Sequence, residues 1–269
     1  MNEANVHSPA VFGLAAQVLT YAFATPLYLG LALAVGSRPT PENIRVPRSI
    51  LKSIPAVFAI GMTVPSTLMI LPLSRTITAD LKQIFIAIWQ PWPAYVAILL
   101  VVAHYTVGFI VSDDNSTLEG KRKNLSSLRH AYAFALIQTT LSHVVTLVIS
   151  ISTAVAPQIF KDSFVRDLHP SAVLSTPLPW TQPVVKVASI ADGVHAFLRW
   201  DYIIGTTGVL VWALHTYLAS GQRVGLGDVG KVLGLVALTG PVGAAVVLVW
   251  ERDETIFARE REGVEKKRL

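Results

Sequence analysis

Apolar positions along this chain gather in long blocks instead of alternating, and the blocks have the length of a membrane crossing. At 1.5 Å per residue, about 20 apolar residues span a hydrocarbon core. Clear runs of that kind cover residues 10–35, 53–72, 84–111, 130–156, 202–219 and 229–250. Between the fourth and fifth lies VVKVASIADGVHAFLRW, Val184 to Trp200, which is short for a crossing and carries Lys186, Asp192 and Arg199. Pattern alone leaves it open between crossing, re-entering and lying on the interface. No internal repeat is visible, and the expected fold is an all-α polytopic membrane helical bundle, one integral-membrane domain over residues 1–269.

Charge decides how many helices to expect. Cytoplasmic loops of membrane proteins collect Lys and Arg. If 184–200 crosses and the N-terminus is lumenal, most of the 22 basic residues fall on the cytosolic side, whereas six crossings divide them almost evenly. About seven transmembrane helices, with a lumenal N-terminus and a cytosolic C-terminus, is the expected topology. The first run has no basic stretch before it and reads as a retained span, not a cleaved leader. Residues 251–269 alternate acids and bases and read as a cytosolic charged tail, helical or simply exposed. Its last residues, KKRL, are similar to a dilysine retrieval signal, which points to the endoplasmic reticulum; a basic tail by chance is the equal alternative. The sequons at Asn115 and Asn124 fall in a loop this topology makes cytosolic, so they are expected to go unused.

Composition removes whole classes of chemistry. The chain is 52% hydrophobic and 14% charged, and it contains no cysteine, so structural disulfides, thiolate metal sites and a cysteine nucleophile are excluded. Its formal charge of +5 lacks the aromatic-interleaved basic stripe of a nucleic-acid surface, so no nucleic-acid partner is expected. The SDDNSTLEGK loop has Lys121 where an aspartate-rich diphosphate motif needs its last acid, and it reads as a charged turn. The histidines lack paired metal spacing, and no nucleophile elbow, P-loop or dinucleotide fingerprint is present. No metal or cofactor is called for.

Polar groups inside apolar spans are then the informative positions. In FLRWDYIIGTTGVLVWALHTYL, Asp201, Gly205, Gly208, Trp212 and His215 form one stripe along a helix. Its glycines either open a pocket below the acid or let two helices approach. Asp192, His195 and Arg199 recur on a similar face, and an Arg199–Asp201 pair would hold the acid ionised. In the third span, IWQPWPAY places Trp89, Gln90, Trp92 and Tyr95 around Pro91 and Pro93. A helix broken at membrane depth faces protein or a cavity, although an interfacial aromatic belt gives the same pattern. His104 continues the Gln90 face. Gln17, Tyr21 and Tyr28 in the first span, and Gln138, Ser142 and His143 in the fourth, read individually as packing contacts. Together these positions describe a large apolar chamber with one wet end.

The segments FLRWD, IWQPWPAY and STLMILPL resemble the small fungal integral-membrane terpene cyclases of meroterpenoid pathways, the kind associated with ascochlorin, ascofuranone and macrophorin. The resemblance implies an enzyme that protonates an alkene or epoxide on the farnesyl chain of a prenylated aromatic or quinone-type substrate, drawn from membrane lipid, and closes rings without metal. Such chemistry needs a neutral acid, a dry cavity and aromatic faces for the carbocation. Asp201 matches the acid of the Trp-Asp pair and is the first choice as general acid; Asp192 is second. Asp80 is third, since it opens the helix TADLKQIF, where capping alone explains an acid. Trp89, Gln90, Trp92, Tyr95, His104, His195, Trp200, Tyr202, Trp212 and Tyr21 are the expected substrate contacts. A sterol-type membrane isomerase and a non-enzymatic carrier are the alternatives.

Overall fold

The computed structural model describes residues 9–36, 39–113, 115–176, 178, 180, 187, 189–222 and 225–266, the stretch 263–266 as backbone only. Helices account for nearly all of it, and no strand occurs among the described residues. The first apolar run is two helices, α1 (Pro9–Leu19) and α2 (Tyr21–Val35). Thr20 stands between them at φ 81° and ψ 154°, the single non-glycine residue with positive φ among those described. A β-branched residue in that region carries strain on the order of 1–3 kcal/mol.

A short α3 (Pro41–Ile44) leads into α4 (Arg48–Phe58), a π-helical turn over Ala59–Thr63, and α5 (Val64–Ile70). Next come α6 (Ala79–Trp89) and α7 (Trp92–Gly108), which meet at 50°. Pro91 and Pro93 remove the amide donors that would continue the ladder, so the bend follows from the sequence. The longest uninterrupted rod is α8 (Leu118–Val155), capped by Thr117 Oγ1, which accepts the Gly120 N–H at 3.0 Å. Two short helices, α9 (Asp162–Leu168) and α10 (Pro170–Leu174), pack on α8, and α11 (Ile190–Ala219) and α12 (Leu226–Lys266) complete the chain.

Length and apolarity allow four helical stretches to cross a membrane, Pro41–Ile70, Leu118–Val155, Ile190–Ala219 and Leu226–Glu262, with the bent α6–α7 pair a fifth. Their outer faces carry exposed apolar side chains such as Ile98, Val101, Ile137, Leu141 and Val148, which lipid satisfies and water does not.

Four expectations change. The run 10–35 is not one span: Phe12 and Tyr28 stand with ring centroids 4.4 Å apart, so α1 folds back on α2 at Thr20. Residues 184–200 and 202–219 do not make two crossings: from Ile190 onward they are one unbroken helix, because nothing between Arg199 and Tyr202 breaks the ladder. Residues 184–186 and 188 lie outside the described residues. The run 229–250 is not one straight span either. Lys231 Nζ lies 2.6 Å from Glu251 Oε1, a separation of positions that in a straight helix corresponds to about 30 Å. The chain folds back at Gly240 (φ 77°) and Pro241, so α12 is two antiparallel arms, 226–239 and 241–266. A Cβ on Gly240 would sit 3.1 Å from the His143 ring, so conformation and contact both require glycine there.

Residues 251–262 are likewise no solvated tail. Arg252, Asp253, Ile256 and Phe257 are buried, and Phe257 shares a core with Leu51, Leu125, Leu128 and Ala131. The last three residues of KKRL lie outside the described set, as does Asp114 of the acidic loop. Asn124 of the second sequon is 2% exposed and donates Nδ2 to the Val46 carbonyl at 3.0 Å.

One end of the bundle is a charged layer. Glu260 accepts from Arg45 (2.7 Å) and Lys121 (2.6 Å), and Arg129 forks onto Glu254. Toward the opposite end, α2 and α11 run side by side in the same direction, with Tyr21 against Gly205 and Pro26 against Gly208.

Candidate active site

The break at Thr20 has a chemical consequence. A helix start leaves its first amides without intrahelical partners, and Thr20 gives its side chain to none of them. Instead Asp201, from the neighbouring α11, takes the Ala22 N–H on Oδ1 at 2.7 Å. The acid of one helix thus caps the other. Oδ2 makes no hydrogen bond, and Asp201 has no salt-bridge partner, among the described residues.

Arg199 does not neutralise it. Its Nη1 donates to the Ser175 carbonyl at 2.6 Å, in the segment before α11. The glycine stripe resolves as helix packing: a Cβ on Gly205 would fall 2.2 Å from the Tyr21 ring, and one on Gly208 would fall 2.9 Å from Pro26. The glycines therefore open no space. They bring α2 close enough for its first turn to reach Asp201.

Space lies on the other side of that turn. A cavity of about 650 Å³ is bordered by α1, α2, the α6–α7 bend and α11. Asp201, Tyr21, Trp89, Gln90 and Trp92 line it, so five of the sequence-selected residues, from three separate spans, converge. Trp89 is held to the wall by its indole N–H, which donates to Ser66 Oγ at 3.0 Å. Phe12 and Tyr28, ring centroids 4.4 Å apart, close a further side.

The remaining candidates lie elsewhere. Asp192 is exposed in the first turn of α11, where its Oδ2 accepts from Ser189 Oγ at 2.8 Å. Asp80 is exposed in the first turn of α6, behind the Thr78 cap. Both are helix-start acids, and neither lines the cavity. His195 is exposed on α11, and Tyr202 is half exposed. Trp200 faces Trp180 at 5.7 Å. Tyr95 is partly buried on α7 outside the cavity. His104 pairs its Nδ1 with Ser49 Oγ at 3.0 Å, near the charged layer. Trp212 lines a second cavity with His215 and Arg252. Among the described residues no three His, Asp or Glu side chains gather as a metal-binding group.

Comparison with known families matches residues 1–257 to the CtvD domain. The chain belongs to the CtvD domain family. Among curated relatives, terpene cyclase penA of Penicillium crustosum is 34% identical over 216 residues, covering 74% of this chain and 55% of that protein. Terpene cyclase ctvD of Aspergillus terreus is 30% identical, covering 93% of this chain and 68% of the relative. Terpene cyclase ascI of Acremonium egyptiacum is 27% identical, covering 95% and 65% respectively. The resemblance to fungal terpene cyclases read from FLRWD and IWQPWPAY is thereby established. This CtvD-domain chain spans between about half and two thirds of the length of these relatives. No solved structure matches it.

Sequence reasoning did not select Phe12 or Phe197 for this cavity, and it passed over Tyr28 and Gln17 as packing contacts, though all four line it. The signal available for Gln17, Tyr21 and Tyr28 was their shared face. The break that turns that face inward had none, since Thr20 is neither Gly nor Pro.

Proposed function

We propose that this chain is a membrane-embedded terpene cyclase that starts ring closure by protonating the farnesyl or epoxyfarnesyl chain of a prenylated aromatic or quinone-type intermediate, without metal. The observation that carries the reading is Asp201, a carboxyl in the wall of an aromatic cavity with one amide bond on Oδ1 and no hydrogen bond on Oδ2 among the described residues. The names of the relatives support the reaction class.

In this mechanism Oδ1 acts as the carbonyl oxygen and Oδ2 carries the hydrogen. Oδ2 gives its proton to the epoxide oxygen, the carbon–oxygen bond opens toward the more substituted carbon, and the neighbouring alkene supplies the electron pair that closes the ring. As the proton leaves, the Ala22 N–H and the first turn of α2 face the growing carboxylate charge. Trp89, Trp92, Phe12 and Tyr28 offer ring faces to the cation, and an apolar wall keeps water from trapping it. Loss of a proton from the final cation returns the acid to its starting state.

The topology proposed with it is a lumenal N-terminus and a cytosolic C-terminus in the endoplasmic-reticulum membrane. The supporting observation is the layer of Arg45, Lys121, Arg129 and Arg259 at one end, the side on which basic residues collect. Counting α2, Pro41–Ile70, the α6–α7 pair, α8, α11 and the two arms of α12 gives seven passages, with the 11-residue α1 folded back beside α2 and not a passage of its own.

The test is Asp201→Asn, which keeps the shape and the Oδ1 acceptor and removes the proton. Membranes carrying the wild type should convert an epoxyfarnesyl phenol to a cyclised product, and the variant should not. Wild-type turnover by the variant overturns the assignment. A shifted double bond in place of a ring identifies an isomerase, and an unchanged substrate identifies a non-enzymatic carrier.

A further inference from the structure

Tyr28 is a wall shared by two cavities. On one side is the Asp201 cavity; on the other is a space of about 620 Å³ between α2, α11 and α12, lined by Trp212, His215 and Arg252 toward the charged end of the bundle. Asp201 and Trp212 belong to the same straight helix, so they are separated along its axis by about 16 Å, the length scale of an extended farnesyl chain.

The second cavity is built around a buried cation. Arg252 is 8% exposed, and its guanidinium spends Nε and Nη2 on one oxygen, Asp253 Oδ1, both at 2.7 Å. Nη1 makes no protein hydrogen bond among the described residues. The same guanidinium lies 6.0 Å from the centre of the Trp212 ring. His215 follows Trp212 by three positions, hence on the same face of α11. A flat aromatic surface, a donor held in place by a buried ion pair and a nearby imidazole together recognise a ring that carries oxygen acceptors.

We propose that this cavity is the head-group site, where the phenol or quinone ring of the substrate stacks on Trp212 and places an oxygen at Arg252 Nη1, while the prenyl chain passes Tyr28 to reach Asp201. The proposal deepens the cyclase reading and rests on it for the identity of the chain. It also assigns the direction of binding: head toward the charged layer, reacting end toward the α1–α2 break.

The test compares two substrates, an epoxyfarnesyl dihydroxybenzoate and free epoxyfarnesol, in nanodiscs with wild type, Trp212→Leu and His215→Ala. Arg252 itself is left intact because its removal strands Asp253 and endangers folding. The KM of the headed compound relative to the head-free chain should rise about tenfold in Trp212→Leu and about threefold in His215→Ala. Equilibrium dialysis of the unreactive farnesyl dihydroxybenzoate and farnesol should show the same change in the ratio of Kd values. A ratio within twofold of wild type in both variants overturns the proposal. So does displacement of the headed compound by phosphatidylserine titrated into the nanodiscs, which would assign the cavity to a lipid. If the wild type cyclises neither substrate, the cyclase reading fails, and the dialysis ratios still decide the head-group site.

Discussion

Asp201 and Asp253 are both carboxylates on long helices of one apolar bundle, and the fold treats them in opposite ways. Asp253 is 2% exposed and has both oxygens engaged: Arg252 gives two bonds to Oδ1, and the Tyr132 hydroxyl donates to Oδ2 at 2.5 Å. Tyr132 in turn stacks on Trp250 with ring centres 5.7 Å apart. Asp201 lines a cavity, receives one backbone amide on Oδ1 and has no hydrogen bond on Oδ2 among the described residues. A buried acid with both oxygens engaged fixes structure, because breaking a partner strands a buried charge. An acid with one oxygen anchored and one open is oriented without being consumed, which is what proton transfer requires.

The contrast breaks if the two isosteric changes act alike. Asp201→Asn should lower cyclisation by a factor of about 10²–10⁴, the usual worth of a general acid, with an unchanged melting temperature in detergent. Asp253→Asn should do the reverse. It leaves Arg252 uncompensated and should destabilise the fold by about 3–5 kcal/mol, while turnover of epoxyfarnesol per folded molecule stays close to wild type. Parallel melting curves and product assays check both, and matching effects from the two variants would show that Asp201 is structural.

A smaller effect sharpens how Asp201 is placed. Gly205→Ala puts a methyl 2.2 Å from the Tyr21 ring, so α2 must shift or Tyr21 must leave its rotamer. Overpacking of this kind costs about 1–3 kcal/mol. Because the shift also carries the Ala22 N–H off Oδ1, turnover should fall as well, by about tenfold. Adding Tyr21→Ala should recover stability but not turnover, since the ring that lines the cavity is then gone.

Part of this candidate cavity was legible. Asp201 beside Trp200 and the proline-broken Trp89–Trp92 stretch drew attention because polar and aromatic groups at a helix break need a reason in an apolar span. What the sequence hid was direction. Trp212 shares a stripe with Asp201, yet lies in a different cavity, since α2 presses on Gly205 and Gly208 between them. Asp192 and Asp80 match Asp201 in residue type but sit in first turns of helices, where local capping already accounts for them. The fold-back at Gly240–Pro241 carried a visible mark, a Gly-Pro pair inside an apolar run. Without that mark the charged residues from 251 onward look like a tail; with it they return along the bundle and pack beside Leu51 and Leu125.

Thr20 is the feature least visible in sequence and the finest test of the comparison. Its φ of 81° separates α1 from α2 and releases the amide that Asp201 holds. If the break exists to present that amide, the residue type matters less than the conformation, and glycine should serve as well. Thr20→Gly removes strain on the order of 1–3 kcal/mol and gives back roughly 0.5–1 kcal/mol through the greater freedom of glycine in the unfolded chain. A net gain of about 1 kcal/mol is expected, read as a higher melting temperature, with turnover within about threefold of wild type. A loss of stability would mean that the Thr20 side chain itself holds the break open. A loss of turnover at unchanged stability would mean that the strain, and not merely the exposed amide, sets the position of Asp201.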